Sequence, residues 1–413
     1  MKLNQDMLDA MRKATSLLQR GRQRDATSKI QQVLPRVLPS TKGGAQAQAA
    51  AAQPMKDINP PPAGRTRNAS VGEDAPKSQP EQAPEDAPPK SGAAVPDFVA
   101  DLLQRFGMPT DLVGASTLPG VHADSRLDSR PGTIAPGKFL SASLTNAAGT
   151  RQYKLYVPAA CHGQPLALVV MLHGCTQNPD DFAAGTEMNL QAELTPCLVL
   201  YPAQSSGANS SKCWNWFNAI DQQRECGEPS IIADMTRQVM TQYAVDPTQV
   251  YIAGLSAGGA MAAIMGQTYP DLYAAVGIHS GLPYAAADDL PSALQAMRAG
   301  ASAARNPAQA GAERPIIVFH GDRDHTVHPR NGEALIGQHV GRNTRASIDN
   351  GSVPGGHSFT RTLHRNSDGA AVAEHWLIHG AGHAWSGGSK SGTYTDRKGP
   401  PATREMMRFF TTR

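Results

Sequence analysis

The sequence contains few cysteines, little net charge and no long apolar run, and each shortage excludes a class of protein. Only 5 of the 413 residues are cysteines, too few for a disulfide-rich scaffold, and none has the Cys-x-x-Cys spacing of a zinc site. The net charge of +3 indicates no nucleic-acid partner. We find no apolar run of transmembrane length and no Sec signal. We expect a cytoplasmic or granule-associated protein, with an extracellular location as the alternative.

Aromatic residues are absent from the first 97 positions. The 4 Trp, 9 Tyr and 9 Phe residues all lie from Phe98 onward, and a globular core depends on such large apolar side chains. We therefore expect one folded domain over residues 98–413, with its core at about 138–413. Two segments of different composition precede it.

The first of these segments, residues 1–38, is basic, with eight Lys or Arg residues and three Asp residues. A stripe of apolar residues three or four positions apart predicts an amphipathic helix; it consists of Leu3, Met7, Met11, Ala14 and Leu18. Two interpretations are open. The segment is a short helical hairpin that docks or solubilises, or it binds the surface of a granule or membrane.

The second segment, residues 39–97, has the composition of a disordered linker. Residues 40–96 contain ten prolines, and they include an Ala/Gln run at 45–53 and a Pro/Glu/Ala stretch at 81–89. Such a segment cannot bury enough apolar surface to offset the conformational entropy lost on ordering.

After residue 138, apolar runs alternate with stretches of helical periodicity. Two runs predict a β-hairpin at 139–145 and 153–157, and later runs predict strands at 166–172, 198–201, 250–253, 275–278, 316–319 and 374–378. Helices are predicted at 230–243, 257–268, 331–340 and 403–411. This order predicts an α/β fold with a mostly parallel sheet and helices on both faces. Ligands of such sheets bind at the carboxyl ends of the strands.

A Gly-x-Ser-x-Gly motif around Ser256 is the strongest chemical signal. It follows a predicted strand and opens a helix of small residues, which is the context of a nucleophile elbow. The serine of such an elbow has a strained backbone, so its neighbours must be small. The helix N-terminus supplies free amides and a positive dipole beside a developing oxyanion. The alternative is a glycine-rich turn with an incidental serine.

A nucleophilic serine needs a base, and the base needs an orienting acid, both downstream in this architecture. Asp322 and Asp324 follow the strand predicted at 316–319. We favour Asp324 as the acid because it lies further beyond the strand, and we interpret Asp322 as a residue that shapes the turn.

The candidate base is His383, one of 13 histidines. The glycines that precede it allow a loop to bring the imidazole over the edge of the sheet. His379 is the rival, but it adjoins the strand predicted at 374–378 and is interpreted as a packed or loop-bracing side chain.

An oxyanion hole requires two backbone amides directed at the carbonyl oxygen. Ala257, directly after the candidate nucleophile, is expected to supply one. The loop after the strand at 166–172 is expected to supply the other, from Cys175 or, as second choice, Thr176. A nucleophilic role for Cys175 is the competing hypothesis.

Aromatic residues are concentrated near these positions. Trp214, Trp216 and Phe217 lie within four positions, and Trp385 follows His383 by two. They are interpreted either as core residues or as an apolar wall of a substrate site. On the second interpretation Trp214, Trp216 and Trp385 contact the substrate.

Five blocks of sequence together resemble the polyhydroxybutyrate (PHB) depolymerase family of esterases, which belongs to the α/β-hydrolase fold and is related to feruloyl and acetylxylan esterases. The blocks are VVMLHGCTQ at 169–177, CWNWF at 213–217, GLSAGG at 254–259, HGDRD at 320–324 and GHAW at 382–385. The resemblance extends over nearly all of residues 138–413.

The resemblance implies a catalytic triad of Ser256, Asp324 and His383, and oxyanion amides from Cys175 and Ala257. It also implies a disulfide between Cys175 and Cys213, and hence an oxidising compartment. No metal or organic cofactor is expected. The implied substrates are short hydroxyacyl esters or polyester. A feruloyl or acetylxylan carbohydrate esterase is the alternative, and a non-catalytic surface or granule-binding protein is the alternative of another class.

Overall fold

The computed structural model describes residues 137–301, 314–341 and 343–412, together with the backbone of Lys56–Asp57. The helix predicted within residues 1–38 and the domain boundaries predicted at 38 and 97 lie outside these residues.

A mixed β-sheet forms the centre of the described domain. Eleven strands are hydrogen-bonded in the order β1-β2-β3-β5-β4-β6-β7-β8-β11-β10-β9. In chain order they are β1 Lys56–Asp57, β2 Lys138–Asn146, β3 Gly149–Val157, β4 Leu166–Leu172, β5 Cys197–Pro202, β6 Val245–Leu255, β7 Ala275–His279, β8 Ile316–Gly321, β9 Arg345–Ser352, β10 Ser358–Arg365 and β11 Ala371–Ile378.

The six central strands, from β5 to β11 in the sheet order, are parallel to one another. Antiparallel pairs extend the sheet at both edges. A separate two-stranded ladder joins β12 Trp385–Ser386 to β13 Thr395–Asp396. Because the parallel strands all end at one edge, the residues that follow them come together there.

Helices cover both faces of the sheet, as the sequence predicts. Alternate residues of a central strand point to opposite faces: Leu168 and Val170 of β4 belong to one apolar core, and Val169 and Met171 to the other. Residues of α3 Gly227–Gln242, α4 Ala257–Thr268, α5 Leu290–Ala299 and α6 Arg330–His339 pack in the first core. Those of α1 Pro179–Thr186, α2 Met188–Leu194 and α7 Ala402–Thr411 pack in the second.

This arrangement is an α/β-hydrolase fold, and the fold class expected from the sequence is confirmed. The strand predicted at 166–172 and the helix predicted at 257–268 have the bounds observed for β4 and α4. The other predicted elements are present with shifted ends. None of the described helices is long and apolar enough to cross a membrane.

Five of the described strands lie where the sequence predicts none: β1, β9, β10 and the two short strands β12 and β13. β9 and β10 form an antiparallel extension of the sheet, and β9 is polar and exposed along most of its length, so it lacks the apolar alternation that predicts a strand. The prediction of disorder throughout residues 39–97 is wrong at Lys56–Asp57, since β1 pairs with Ser141 and Leu140 of β2. Backbone pairing at a sheet edge does not require apolar side chains.

Candidate active site

Ser256 lies at a sharp turn between β6 and α4, in a backbone conformation that is rare for residues other than glycine. Its φ is 57° and its ψ is −120°, a strained geometry that costs about 1–3 kcal/mol and persists only where the surroundings hold it. The Ser256 N–H donates to the carbonyl oxygen of His279 on β7 (2.9 Å). The sharp turn places Ser256 at the carboxyl ends of the parallel strands, where the sequence predicts the ligand site.

The two glycines of the motif are required by close backbone contacts. A Cβ atom on Gly258 would lie 2.1 Å from the carbonyl oxygen of Leu172, and one on Gly254 would lie 2.3 Å from that of Gly258. Non-bonded atoms cannot approach so closely, so any side chain at either position would displace the backbone. The elbow therefore depends on glycine at both positions.

His383 and Asp324 form a direct hydrogen bond of 2.7 Å between Nδ1 and Oδ2. The Asp324 side chain is buried, and its other oxygen accepts hydrogen bonds from the backbone N–H groups of Thr326 (2.9 Å) and Val327 (2.8 Å). These bonds hold the carboxylate in one orientation. His383 and Ser256 line the same small cavity, so the structure brings all three predicted triad residues together.

The Asp324 carboxyl is held in its ionised form. Burial acts to raise its pKa, but the charge of His383 and hydrogen bonds from His320 and His383 outweigh burial and lower the pKa well below its usual range. A permanently ionised carboxylate suits a group that orients an imidazole and stabilises its cationic form.

The rival residues form a separate pair on a more exposed part of the molecule. Asp322 lies 3.0 Å from Nδ1 of His379 and also accepts the N–H of Gly380 (2.7 Å). Nε2 of His379 lies 3.0 Å from the hydroxyl of Thr360 on β10. Neither residue lines the two cavities beside Ser256. Their contacts fit the turn-shaping role predicted for Asp322 and the loop-bracing role predicted for His379.

The two predicted oxyanion residues flank Ser256 in the structure. Ala257 begins α4, so its N–H has no acceptor within the helix. Cys175 and Ala257 line one cavity together with Ser256. The N–H of Thr176, the second choice, donates to the carbonyl oxygen of Ser211 (2.7 Å) and is thereby committed elsewhere.

Cys175 is also joined to Cys213 by a disulfide, the pair that the resemblance implies. The bond connects the loop after β4 to the aromatic segment that follows Ser211. The other three cysteines, Cys161, Cys197 and Cys226, are free.

Only one of the three tryptophans predicted to contact substrate lines a cavity beside the serine. Trp216, with Phe217, contributes to the wall. Trp214 and Trp385 are each 1% exposed. The indole N–H of Trp214 donates to the carbonyl oxygen of His173 (3.2 Å), and Trp385 stacks on the His279 ring. The structure therefore assigns Trp214 and Trp385 to the core and corrects their predicted substrate contact.

Two cavities open beside Ser256. The apolar cavity is lined by Cys175, Asn209, Cys213, Trp216, Phe217, Ser256, Ala257, Leu282, Leu290, Ala293, Leu294, Met297 and Val327. The histidine-side cavity is lined by Gly174, Cys175, Gln177, Leu255, Ser256, His383 and Tyr394. The two cavities share Cys175 and Ser256 and therefore meet at the candidate nucleophile.

His279 connects the elbow to the base loop, a role that the sequence did not reveal. Its carbonyl oxygen accepts the N–H of Ser256, and its Nε2 accepts the N–H of Ser386 (3.0 Å), three residues after His383. Burial lowers the pKa of His279 to about 3, with the charges of His320 and His383 acting in the same direction. The ring is therefore neutral and able to accept. Its position follows from the pairing of Leu255 with His279 between β6 and β7, which no local pattern predicts.

Known proteins similar to this chain are esterases and depolymerases. Residues 151–354 match the family described as Esterase PHB depolymerase. Poly(3-hydroxyalkanoate) depolymerase C of Paucimonas lemoignei is 33% identical over 254 residues, which are 58% of this chain and 59% of that protein. A poly(3-hydroxybutyrate) depolymerase of Ralstonia pickettii is 30% identical over 282 residues, 63% of this chain and 56% of that protein.

A more distant relative is named for a carbohydrate substrate. The probable acetylxylan esterase A of Aspergillus fumigatus (strain ATCC MYA-4609 / CBS 101355 / FGSC A1100 / Af293) is 28% identical over 228 residues, 49% of this chain and 59% of that protein. This chain thus spans less than two thirds of the length of each of these three relatives.

Proposed function

We propose that this protein is a serine esterase that cleaves short hydroxyacyl esters or polyester, since residues 151–354 match the family described as Esterase PHB depolymerase. The observation that carries the proposal is the Asp324–His383 hydrogen bond beside a serine in a strained elbow. Ester hydrolysis needs a nucleophile, a base and an oriented acid within reach of one another.

In the proposed mechanism His383 removes the proton of Ser256 as the hydroxyl attacks the ester carbonyl. The N–H groups of Cys175 and Ala257 stabilise the oxyanion, and Asp324 stabilises the imidazolium that forms. His383 then protonates the departing alcohol. A water molecule, activated by the same imidazole, attacks the acyl-enzyme and releases the acid.

The proposed substrate class has support from the names of the similar depolymerases and from the walls of the site. Both matched depolymerases are named for polyhydroxyalkanoate substrates. The apolar cavity is formed mainly by aliphatic and aromatic side chains, Leu294 and Trp216 among them, and such walls suit the alkyl part of a short acyl chain.

A carbohydrate esterase is the second candidate, since one relative of this chain is named as an acetylxylan esterase. Relative rates on methyl ferulate, acetylated xylan and 3-hydroxybutyrate trimers distinguish the two. A non-catalytic surface protein is the alternative of another class, and turnover of any ester that depends on Ser256 excludes it.

The first experiment compares wild-type protein with Ser256→Ala on p-nitrophenyl butyrate. We expect kcat to fall by about 10⁴-fold or more, because the members of a triad act as a unit. The matched control is Ser367→Ala, which removes an exposed hydroxyl beside Asp368 and should leave the rate unchanged. Equal rates for wild type and Ser256→Ala would refute the proposal, and a wild type inactive on all esters would favour the non-catalytic alternative.

We also propose that the basic segment 1–38 attaches the enzyme to an anionic or polyester surface. The support is compositional: eight basic residues against three acidic ones, with an apolar stripe at helical spacing. For the location of the protein, the Cys175–Cys213 disulfide favours the extracellular alternative over the cytoplasmic one, because disulfides persist in oxidising compartments.

A further inference from the structure

Two cavities meet at Ser256, and the position of His383 distinguishes them. On the proposed mechanism His383 donates a proton to the leaving alcohol, so the alcohol portion of the ester must lie beside the imidazole. His383 lines only the histidine-side cavity. The acyl portion then occupies the apolar cavity, against Leu294 and Trp216.

Tyr394 forms the wall of the histidine-side cavity that no sequence motif predicts. Its side chain is 39% exposed, and its φ of 51° lies in the left-handed region that bulky residues seldom adopt. Its hydroxyl lies 3.2 Å from Oγ1 of Thr176. Because the Thr176 hydroxyl donates to the carbonyl oxygen of Cys175 (2.6 Å), the phenol is the donor toward Thr176.

The loop that carries Tyr394 is hydrogen-bonded both to the segment that follows β4 and to the loop that carries His383. Thr393 donates to Asp181 through its N–H (2.9 Å) and its hydroxyl (2.6 Å), and Gln177 donates to Asp181 (2.7 Å) and to the carbonyl oxygen of Thr393 (3.1 Å). The N–H of Trp385 donates to the carbonyl oxygen of Tyr394 (2.7 Å). The backbone that carries the phenol is therefore held in place before substrate binds, and such preorganisation strengthens binding.

We infer that Tyr394 is a specificity residue for the alcohol portion of the ester, and that it selects alcohols with a carbonyl oxygen of their own. The hydroxyl can exchange its long bond to Thr176 for a bond to a substrate acceptor, because a phenol O–H rotates freely. In a polyester, the leaving alcohol is the next hydroxyacyl unit, and it carries such an oxygen. This inference rests on the proposed esterase function and makes it more specific.

The test uses two esters with the same 3-hydroxybutyryl acyl group and different alcohols. One is ethyl 3-hydroxybutyrate, whose alcohol has no carbonyl, and the other is the methyl ester of the linear 3-hydroxybutyrate dimer, followed by release of methyl 3-hydroxybutyrate. Tyr394→Phe should lower the ratio of kcat/KM for the dimer to that for the ethyl ester about tenfold, the loss expected for one hydrogen bond.

Two further variants identify the cause of any change. Tyr284→Phe, the matched control, removes a phenol that donates to the carbonyl oxygen of Gln222 (3.3 Å) and that lines neither cavity at Ser256, so the ratio should not move. Leu294→Ala, in the apolar cavity, should instead shift the preference among p-nitrophenyl esters from butyrate toward hexanoate.

The failure of this inference differs from the failure of the esterase proposal. If wild type hydrolyses both esters and Tyr394→Phe leaves their ratio unchanged, the assignment of Tyr394 is wrong and the esterase proposal stands. If wild type hydrolyses neither ester nor p-nitrophenyl butyrate, the esterase proposal fails, and the role of Tyr394 fails with it.

Discussion

Single residues two positions apart have different surroundings in this molecule. Asp324 is buried against His383 and receives two backbone N–H groups, whereas Asp322 is partly exposed beside His379. Each carboxylate has an imidazole partner, so a histidine neighbour alone does not identify the catalytic acid. Burial and proximity to Ser256 distinguish the Asp324–His383 pair.

This difference predicts unequal effects of the same substitution. Asp324→Asn should lower kcat on p-nitrophenyl butyrate by about 10⁴-fold, because the amide cannot stabilise the imidazolium and can favour the wrong tautomer of His383. Asp322→Asn, the matched control, should lower kcat less than about tenfold. If Asp322→Asn lowered kcat more than Asp324→Asn did, the catalytic acid would be Asp322, acting through His379.

Among the elements, the junction of β6 and α4 has the backbone contacts that matter most for the site, and several of them act together. Gly254, Gly258 and the carbonyl oxygen of Leu172 on β4 pack so closely that no Cβ atom fits. The turn therefore fixes the distance between α4 and the sheet, and with it the height of Ser256 and the direction of the Ala257 N–H.

Gly258→Ala should accordingly disturb both stability and activity. A Cβ 2.1 Å from a carbonyl oxygen forces a backbone shift, and we expect a loss of about 2–3 kcal/mol in the free energy of unfolding and loss of most esterase activity. Gly337→Ala in α6, where a Cβ meets no atom within 4 Å, should instead stabilise by about 0.5–1 kcal/mol.

Urea unfolding and p-nitrophenyl butyrate hydrolysis measure the two effects on the same samples. A Gly258→Ala protein with wild-type activity and stability would show that the elbow tolerates a side chain. Steric exclusion of a Cβ atom would then no longer explain the second glycine of the motif.

At the scale of the whole molecule, the basic segment 1–38 and the residues that follow it differ in charge. The segment carries a formal charge of +5, while residues 1–413 together carry +3, so residues 39–413 are slightly acidic. On the surface-attachment proposal, the basic segment is attracted to an anionic surface, and this attraction weakens with added salt.

Neutralising bases of the segment in the 413-residue protein tests this proposal. The triple variant Arg20→Gln, Arg22→Gln and Arg24→Gln should lower the partition coefficient for anionic vesicles, measured by sedimentation, by about 100-fold, since each base near an anionic surface contributes about 1 kcal/mol. Three bases of the predicted linker, Lys42, Arg65 and Arg67, changed to Gln serve as the control. Equal sedimentation of both variants and wild type would exclude a role for these charges.

The order of the elements and the position of the elbow could be predicted from the chain's local patterns. β4, α4 and the Gly-x-Ser-x-Gly turn between β6 and α4 are specified by residues adjacent in the chain, and apolar periodicity and glycine content report such local preferences. The polar strand β9 could not be predicted in this way, because its pairing with β10 and not an apolar pattern of its own makes it a strand.

Which distant side chains meet depends instead on the tertiary structure. The folded domain gives Asp324 and Asp322 different histidine partners. It buries Trp214 and Trp385 in the core. It also brings His279 and Tyr394 to the site. These outcomes depend on the register between β6, β7 and β8 and on the docking of the loop at Tyr394 against Gln177. Such contacts join residues far apart in the chain, and their energies arise from packing and burial, which a local pattern does not encode.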